Sequence, residues 1–466
     1  MRNLSLVLLL LLPLSIGQAS NLDSDTELEQ IRTELKLLKD LYEQRIKELE
    51  NRLAAAEKST KKAMIATQRL ASDVRQQSKD NQSPVSENSF NPAFSFILDG
   101  TYASYDREPE SSTIPGFQLG GESALISEGF NVGHSELVMS ANIDDLFYGK
   151  LTYALVSEDG ETATELEEAF FETIGLGNGW TLKGGRFFSD IGYLNTKHGH
   201  SWDFVDMPLV YRAMLGGNYF DDGLQVSWLA PFDIYSHFGI ELFKGDSFPG
   251  GGTSDDEFAV RTAFMKFGGD WGIEHSWQAG LSWWDAEIED RQGGSHHHGG
   301  EEIAAEVASF YGDSTLGIFD FTYKWADNGN SSEGNLTLQF EYFWRDEDGL
   351  ISMLGTSPLE TTLYSGTQSG YYLQSVYQIK PQWNIGLRYD YLDTANTGSD
   401  FDILGEAGLL NADTDLERWS IMLDWAHSEF SRFRVQYSKD DSSGFSDSQL
   451  FFQYIMSIGS HGAHSY

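Results

Sequence analysis

From residue 92 to residue 459, apolar and polar residues alternate with a period of two, in runs bounded by Gly, Pro, Asn, Asp and Ser. In residues 383–391, Trp383, Ile385, Leu387, Tyr389 and Tyr391 fall on one face, and Asn384, Gly386, Arg388 and Asp390 on the other. The same alternation runs through residues 336–342, 419–425 and 433–437. A soluble sandwich also alternates. Here, though, the apolar faces end in Trp and Tyr, as the interfacial girdle of a transmembrane barrel does. The pattern predicts strands over 92–104, 130–142, 146–157, 164–176, 179–188, 217–230, 234–245, 257–268, 272–288, 315–326, 335–346, 368–379, 383–393, 417–427, 431–440 and 448–459. The total is about 16, an even number as bacterial barrels require.

The connections alternate in length. Short turns are expected at residues 144–145, 177–178, 231–232, 269–270, 381–382 and 428–429, with a somewhat longer one at 328–334, and long loops lie between them. Short turns on one side and long loops on the other is the periplasmic and extracellular asymmetry of outer-membrane barrels. With this parity both barrel ends lie in the periplasm. The predicted class is therefore all-β, a transmembrane antiparallel β-barrel over residues 92–459.

Before the barrel the period changes. Leu28, Ile31, Leu35, Leu38 and Tyr42 keep the three-four spacing of a coiled-coil seam, and Ile46, Leu49, Leu53 and Ala56 resume it after a stutter. Residues 20–59 are read as a periplasmic α-helical coiled coil, which needs partner chains; because outer-membrane barrels of this kind are commonly trimers, a homotrimer is expected. A lone amphipathic helix is the alternative. Residues 60–91 form a polar linker, and residues 460–466 a His-containing tail.

The first residues set the compartment. Arg2, an apolar stretch over residues 4–16 broken by Pro13, and small residues at Gly17 and Ala19 read as a signal peptide over residues 1–19. The stretch is too short for a spanning helix, which needs about 20 apolar residues. There is no Cys, which removes lipoprotein anchoring and disulfides.

Composition sharpens this picture in two ways. Mean hydropathy is −0.36, yet aromatics reach 14% and Gly numbers 47. Low bulk hydropathy with many aromatics fits a barrel in which only alternate residues meet lipid. From Phe90 onward, 18 Lys and Arg stand against 58 Asp and Glu. That balance excludes nucleic acid as a partner and favours cations, metals or cationic solutes. Solvated extracellular loops account for most of it, so selectivity rests on the charges at the constriction.

The richest loop follows the fifth strand, with the sequence GGRFFSD ending at Asp190 and then residues 191–213. Its length and aromatic content suit a loop folded into the lumen. Asp190, Lys197, Asp203, Asp206 and Arg212 would line a constriction, opposed by Arg186, Arg388, Arg432 and Arg434 on the wall. A plug or rim loop is the plainer reading. His198 and His200 lie in this loop, and His296, His297 and His298 lie in a Gly-flanked tract followed by Glu301 and Glu302. Imidazole with carboxylate suits Zn2+, so both groups are candidate metal ligands for a weakly held ion. No cofactor is required. No G-x-S-x-G or H-E-x-x-H occurs, and no enzymatic activity is expected.

The strand count, the N-terminal coiled coil and the GGRFF segment resemble the phosphate-selective-porin-like superfamily of trimeric outer-membrane porins. The segment GYLNTKHGHSWDFVDMPLVYRA and the ending HGAHSY more closely resemble gammaproteobacterial zinc-regulated outer-membrane receptor-like proteins. This resemblance implies a trimeric channel in contact with outer-membrane lipid and lipopolysaccharide, with a link to zinc supply. The excess of acids departs from the basic ladder of phosphate-selective porins. The 377 residues from Phe90 leave no room for both the 22-stranded barrel and the plug of a TonB-dependent receptor. The expected function is passive transport of small solutes or ions, divalent metals among them. The alternative is a non-channel outer-membrane protein that binds metal or engages surfaces.

Overall fold

The computed structural model describes residues 92–107, 113–133, 135–158, 161–251, 258–293, 307–356 and 359–459, together with Lys36, Lys39 and Lys47, which are helical. The chain divides into two units, Met1–Ser89 and Phe90–Tyr466. The signal peptide, the bulk of the coiled coil, the linker, the C-terminal tail, and His296, His297, His298, Glu301 and Glu302 lie outside the described residues.

The barrel is built from β1 (Ala93–Tyr105), β2 (Gly129–Val132), β3 (Ser135–Asn142), β4 (Phe147–Glu158), β5 (Glu161–Thr173), β6 (Trp180–Phe188), β7 (Phe220–Leu229), β8 (Tyr235–Phe243), β9 (Val260–Trp271), β10 (His275–Gln292), β11 (Val307–Ala326), β12 (Asn335–Leu354), β13 (Glu360–Lys380), β14 (Trp383–Gly398), β15 (Leu416–Ser428), β16 (Ser431–Asp440) and β17 (Asp447–Gly459). Apart from β2 and β3, which do not pair with each other, consecutive strands pair antiparallel. The ring closes where β1 pairs with β17, from Ser95 opposite Gly459 to Tyr105 opposite Gln449. On its other edge β1 meets β2 at Gly100–Ala103 and β3 at Ala93–Ile97. Thus β2 and β3 are two halves of one stave, and the barrel has 16 staves. Closure of the ring is the condition for a sheet to cross lipid.

The period-two pattern sorts side chains by face. On β13, Tyr371, Leu373, Tyr377 and Ile379 point outward, and Tyr372, Gln374 and Val376 point inward. The sorting is inverted relative to a soluble protein. Leu281, Leu387 and Ile421 are exposed on the outer face, while Arg291, Arg345, Arg388, Arg418 and Arg434 are among the most buried side chains. An exposed apolar surface of this extent is stable only against lipid or a partner. Stacked pairs Trp180–Trp228, Trp271–Trp277 and Trp383–Trp425 ring the outer face beside the short turns.

Leu387 lies between Trp383 and Tyr391 on β14, 57% exposed. Leu387→Arg should therefore cost about 2–4 kcal/mol of folding free energy in lipid vesicles, the cost of Arg near the bilayer midplane. Leu410→Arg, on the loop before β15, should cost far less. Denaturant titration of both variants in vesicles checks this, and equal losses would contradict the outer-face assignment.

Strands β10 to β13 run longer than the sequence pattern predicts, at 18, 20, 20 and 21 residues. About 10 residues suffice to cross. The surplus forms a tall wall at the loop rim, where the pattern reverses. On β13, Ser365, Thr367 and Ser369 take the outward positions, and on the neighbouring strands Phe310, Ile351 and Met353 point inward. Polar outward and apolar inward is the soluble pattern, so the end of the membrane signal looked like the end of the strand.

Those inward apolar groups meet three loops that fold into the lumen. One is residues 113–128. The second is residues 189–219, including α1 (Leu209–Met214). The third is residues 399–415, including α2 (Phe401–Glu406). Ile114, Phe117, Ile191, Leu194, Leu209, Met214, Leu404 and Leu409 join Trp284, Ile318, Phe343 and Tyr372 of the wall in one apolar cluster. The described loops thus fill the loop-side half of the lumen with a hydrophobic core.

Candidate functional site

The long loop after β6 does fold inward, and the wall supplies its anchors. Its neck is closed by Asn195, whose side chain donates to the carbonyls of Ser189 (2.7 Å) and Tyr219 (2.9 Å) and accepts from the Tyr219 N–H (2.7 Å). Glu341, inward on β12, accepts from the N–H groups of Tyr193 (2.9 Å) and Leu194 (3.1 Å) and from the hydroxyls of Tyr211 and Tyr372. Gly192 has φ +64°, and a Cβ there would stand 2.6 Å from a Glu341 oxygen, so only glycine fits this approach. Farther along, Asp390 on β14 accepts from the Leu209 N–H at the start of α1 (2.9 Å). These bonds satisfy loop backbone that would otherwise be buried unpaired.

Asp206 occupies the centre of the second anchor. It pairs with Arg388 (2.7 Å) and Arg418 (2.8 Å) and accepts from Gln436 (2.6 Å). Both arginines also reach Asp390, at 3.0 and 3.3 Å. Burial opposes the charge on Asp206, but Arg388 and Arg418 outweigh it and hold its pKa down at about 2. Arg434 donates to the Trp202 carbonyl (2.7 Å), and Arg432 to the carbonyls of His200 and Trp202.

Of the wall arginines expected to oppose loop carboxylates, Arg388 makes a direct ion pair with one. Arg432 and Arg434 grip loop carbonyls and pair with Asp424 of the wall, and they also act electrostatically on Asp203 of the loop. Arg186 does not face the lumen. It shares the outward parity of Trp180 and Leu182 on β6 and pairs with Asp222 on β7 at 2.8 Å. Among the remaining loop residues, Asp203 accepts from Gln374 (3.1 Å) and Asp190 from Gln225 (2.8 Å). Lys197 lies over the Tyr193 ring (4.5 Å), and Arg212 donates to the Ser123 carbonyl (2.7 Å). The sequence reading passed over Arg418, Asp390 and Glu341. Each lies on the polar face of a recognised strand, but nothing local marks it as a loop anchor.

His198 and His200 meet a second group of unforeseen partners. His198 Nδ1 lies 3.1 Å from Glu167 Oε2 and 3.4 Å from Glu136 Oε1, and its Nε2 lies 2.9 Å from Glu168 Oε2. His200 Nδ1 lies 2.9 Å from Glu136 Oε1. Glu168 also pairs with Lys150 at 2.5 Å. Successive strand residues ordinarily point to opposite faces. Here a register shift sets Glu168 opposite Thr152 but Leu166 opposite Tyr153, leaving Glu167 as the extra residue of a bulge. The bulge lets Glu167 and Glu168 both turn inward, and both are buried. Burial opposes protonation of His198, yet the three facing carboxylates prevail and raise its pKa well above the ordinary histidine value.

Charge is also sorted by face. Lys183, Lys266 and Lys324 point inward with the buried arginines, and the polar half of the lumen is richer in bases than the overall balance suggests. The −40 total therefore does not fix the field along the lumen.

No family model matches the chain. It is 30% identical over 414 residues to an "Uncharacterized protein" of Aquifex aeolicus (strain VF5), with 82% of each chain covered. Among solved structures it is similar to OmpT, an outer membrane protein of Vibrio cholerae, with a TM-score of 0.48 and 11% identity over 79% of this chain and 97% of that one. The outer membrane channel DcaP of Acinetobacter baumannii gives 0.47 and 14%, over 79% and 96%. An anion-selective porin from Comamonas acidovorans gives 0.46 and 10%, over 79% and 99%. Similarities of this size do not bear on solute or selectivity.

Proposed function

The chain belongs to the family of an uncharacterized Aquifex aeolicus protein, a kinship that brings no function with it, and we propose from the geometry that it is a porin-like channel of the bacterial outer membrane. The observation that carries this reading is the closed 16-stave ring, apolar outside and polar inside, with an anchored loop lying across its lumen. In this reading small solutes pass by diffusion and the inward loop sets the narrowest point. Divalent metal ions are among the solutes, with His198 and His200 near the path. The protein carries out no chemical step, needs no cofactor to fold, and sits in outer-membrane lipid and lipopolysaccharide as a homotrimer.

Stepwise currents from purified protein in planar bilayers are the expected result. Reversal potentials in salt gradients then report whether the acidic total or the inward bases govern selectivity. A second reading draws on one specific observation, the apolar core that fills the loop-side half of the lumen. Such a core suits a non-channel barrel whose loops bind metal or engage surfaces. Absence of steps at any voltage would favour that reading over the first.

A further inference from the structure

We propose that Glu136, Glu167 and His198 are the ligands of a divalent transition-metal site, of the class filled by Zn2+, which clasps the inward loop to β3 and β5. One ligand atom from each lies within 4.8 Å of the others. The tighter distances are more telling. Ligand bonds of about 2.0–2.2 Å in a tetrahedral site set neighbouring donor atoms about 3.4 Å apart. His198 Nδ1 stands 3.1 and 3.4 Å from its two carboxylate oxygens. Two edges of the donor set thus already match a small tetrahedral ion, and the ligand atoms of the two carboxylates lie within 4.8 Å of each other.

The surroundings match what a metal-bound histidine requires. Such a ring donates its other N–H to a carboxylate, which fixes its tautomer and orientation. His198 Nε2 faces Glu168 at 2.9 Å, and Lys150 holds Glu168 in turn. Glu136 is 1% exposed, and its Oε2 has no hydrogen-bond partner. A buried carboxylate oxygen left unpaired is costly, and a cation would satisfy it. The charges agree as well, since two carboxylate ligands balance one divalent ion. Mixed imidazole and carboxylate donors favour Zn2+ over Mg2+ or Ca2+, which prefer all-oxygen shells.

The metal part of the proposed function supplies the cargo class, but this site is buried between loop and wall. The ion it holds is a resident clasp and not one in transit. The site and the channel reading can fail separately, because metal binding is measured in detergent without any current.

The test uses the full chain, with His296, His297 and His298 replaced by Ala to remove the competing tract. Zn2+ titrated calorimetrically into the chelator-stripped protein should bind at one site with this ligand set. Glu167→Gln, which keeps size and fold, should abolish it. Glu168→Gln should weaken it about 10–100-fold, as loss of an orienting partner does. Co2+ in place of Zn2+ should give visible absorption bands of a low-coordinate site, and Glu167→Gln should remove them. Heat-modifiable gel mobility confirms that each variant is folded. Unchanged Zn2+ binding in folded Glu167→Gln, or equal displacement by Mg2+, overturns the proposal. Absence of Zn2+ binding in the parent also overturns it and leaves the cluster as a histidine–carboxylate contact only. Metal binding without channel steps would keep the site and sink the channel.

Discussion

Replacing Asp206 with Ala should release the inward loop and raise single-channel conductance without unfolding the barrel. Asp206 joins Arg388, Arg418 and Gln436 to the segment that precedes α1. Its removal leaves two arginines, each about 1% exposed, with Asp390 and, 3.9 Å from Arg418, Asp440 as the carboxylates still paired with them. Breaking a buried ion pair from one side costs about 3–5 kcal/mol. The staves are held by their own ladders, so the least costly escape is for the loop to leave and water to enter. Conductance and protease cleavage within residues 191–217 should rise together.

The same group gives a pH signature. A free Asp carboxyl titrates near ~3.9, and Asp206 is held at about 2. A depressed carboxylate stabilises fully above its unfolded value and loses that contribution as pH falls through its folded value. The contribution of Asp206 to loop docking should thus be constant from neutral pH down to about 4 and weaken between there and about 2. Asp206→Asn should remove that step. An acid step that persists in Asp206→Asn, or a variant with unchanged conductance and protection, would show that Asp206 does not hold the loop.

Glu341→Ala should loosen the loop at its other anchor, on β12. It strands the N–H groups of Tyr193 and Leu194 and the hydroxyls of Tyr211 and Tyr372. Each buried donor left unpaired costs about 1–3 kcal/mol, so the summed effect rivals loss of Asp206. Near-UV circular dichroism should lose its signal at a lower temperature, while the far-UV sheet signal persists. Glu341→Gln should fall between wild type and Ala. Its Oε1 still accepts, but its amide N–H groups point at donors. Identical melting of the near-UV signal in wild type and Glu341→Ala would assign the anchoring to other residues.

Strand order, the count of staves and the side bearing the short turns follow from the sequence alone. A strand crossing lipid writes its outer face as every second residue, and Trp383, Leu387 and Tyr391 carry that signal without reference to any other strand. Arg186 was legible by the same rule, since it keeps the parity of Trp180 and Leu182, and its position beside the loop misled. The inward loop was legible in outline, from its length and aromatic content. Three features were decided only by the tertiary structure. The wall of β10 to β13 continues past the membrane, because its face reverses against a core made by distant loops. Glu341, Asp390 and Arg418 become anchors through contacts with a loop more than a hundred residues away. Glu167 turns inward only because a bulge in its pairing with β4 breaks the alternation. Periodicity is a local property of a chain, whereas the partner of a buried charge is fixed by which strands closure of the ring brings across the lumen.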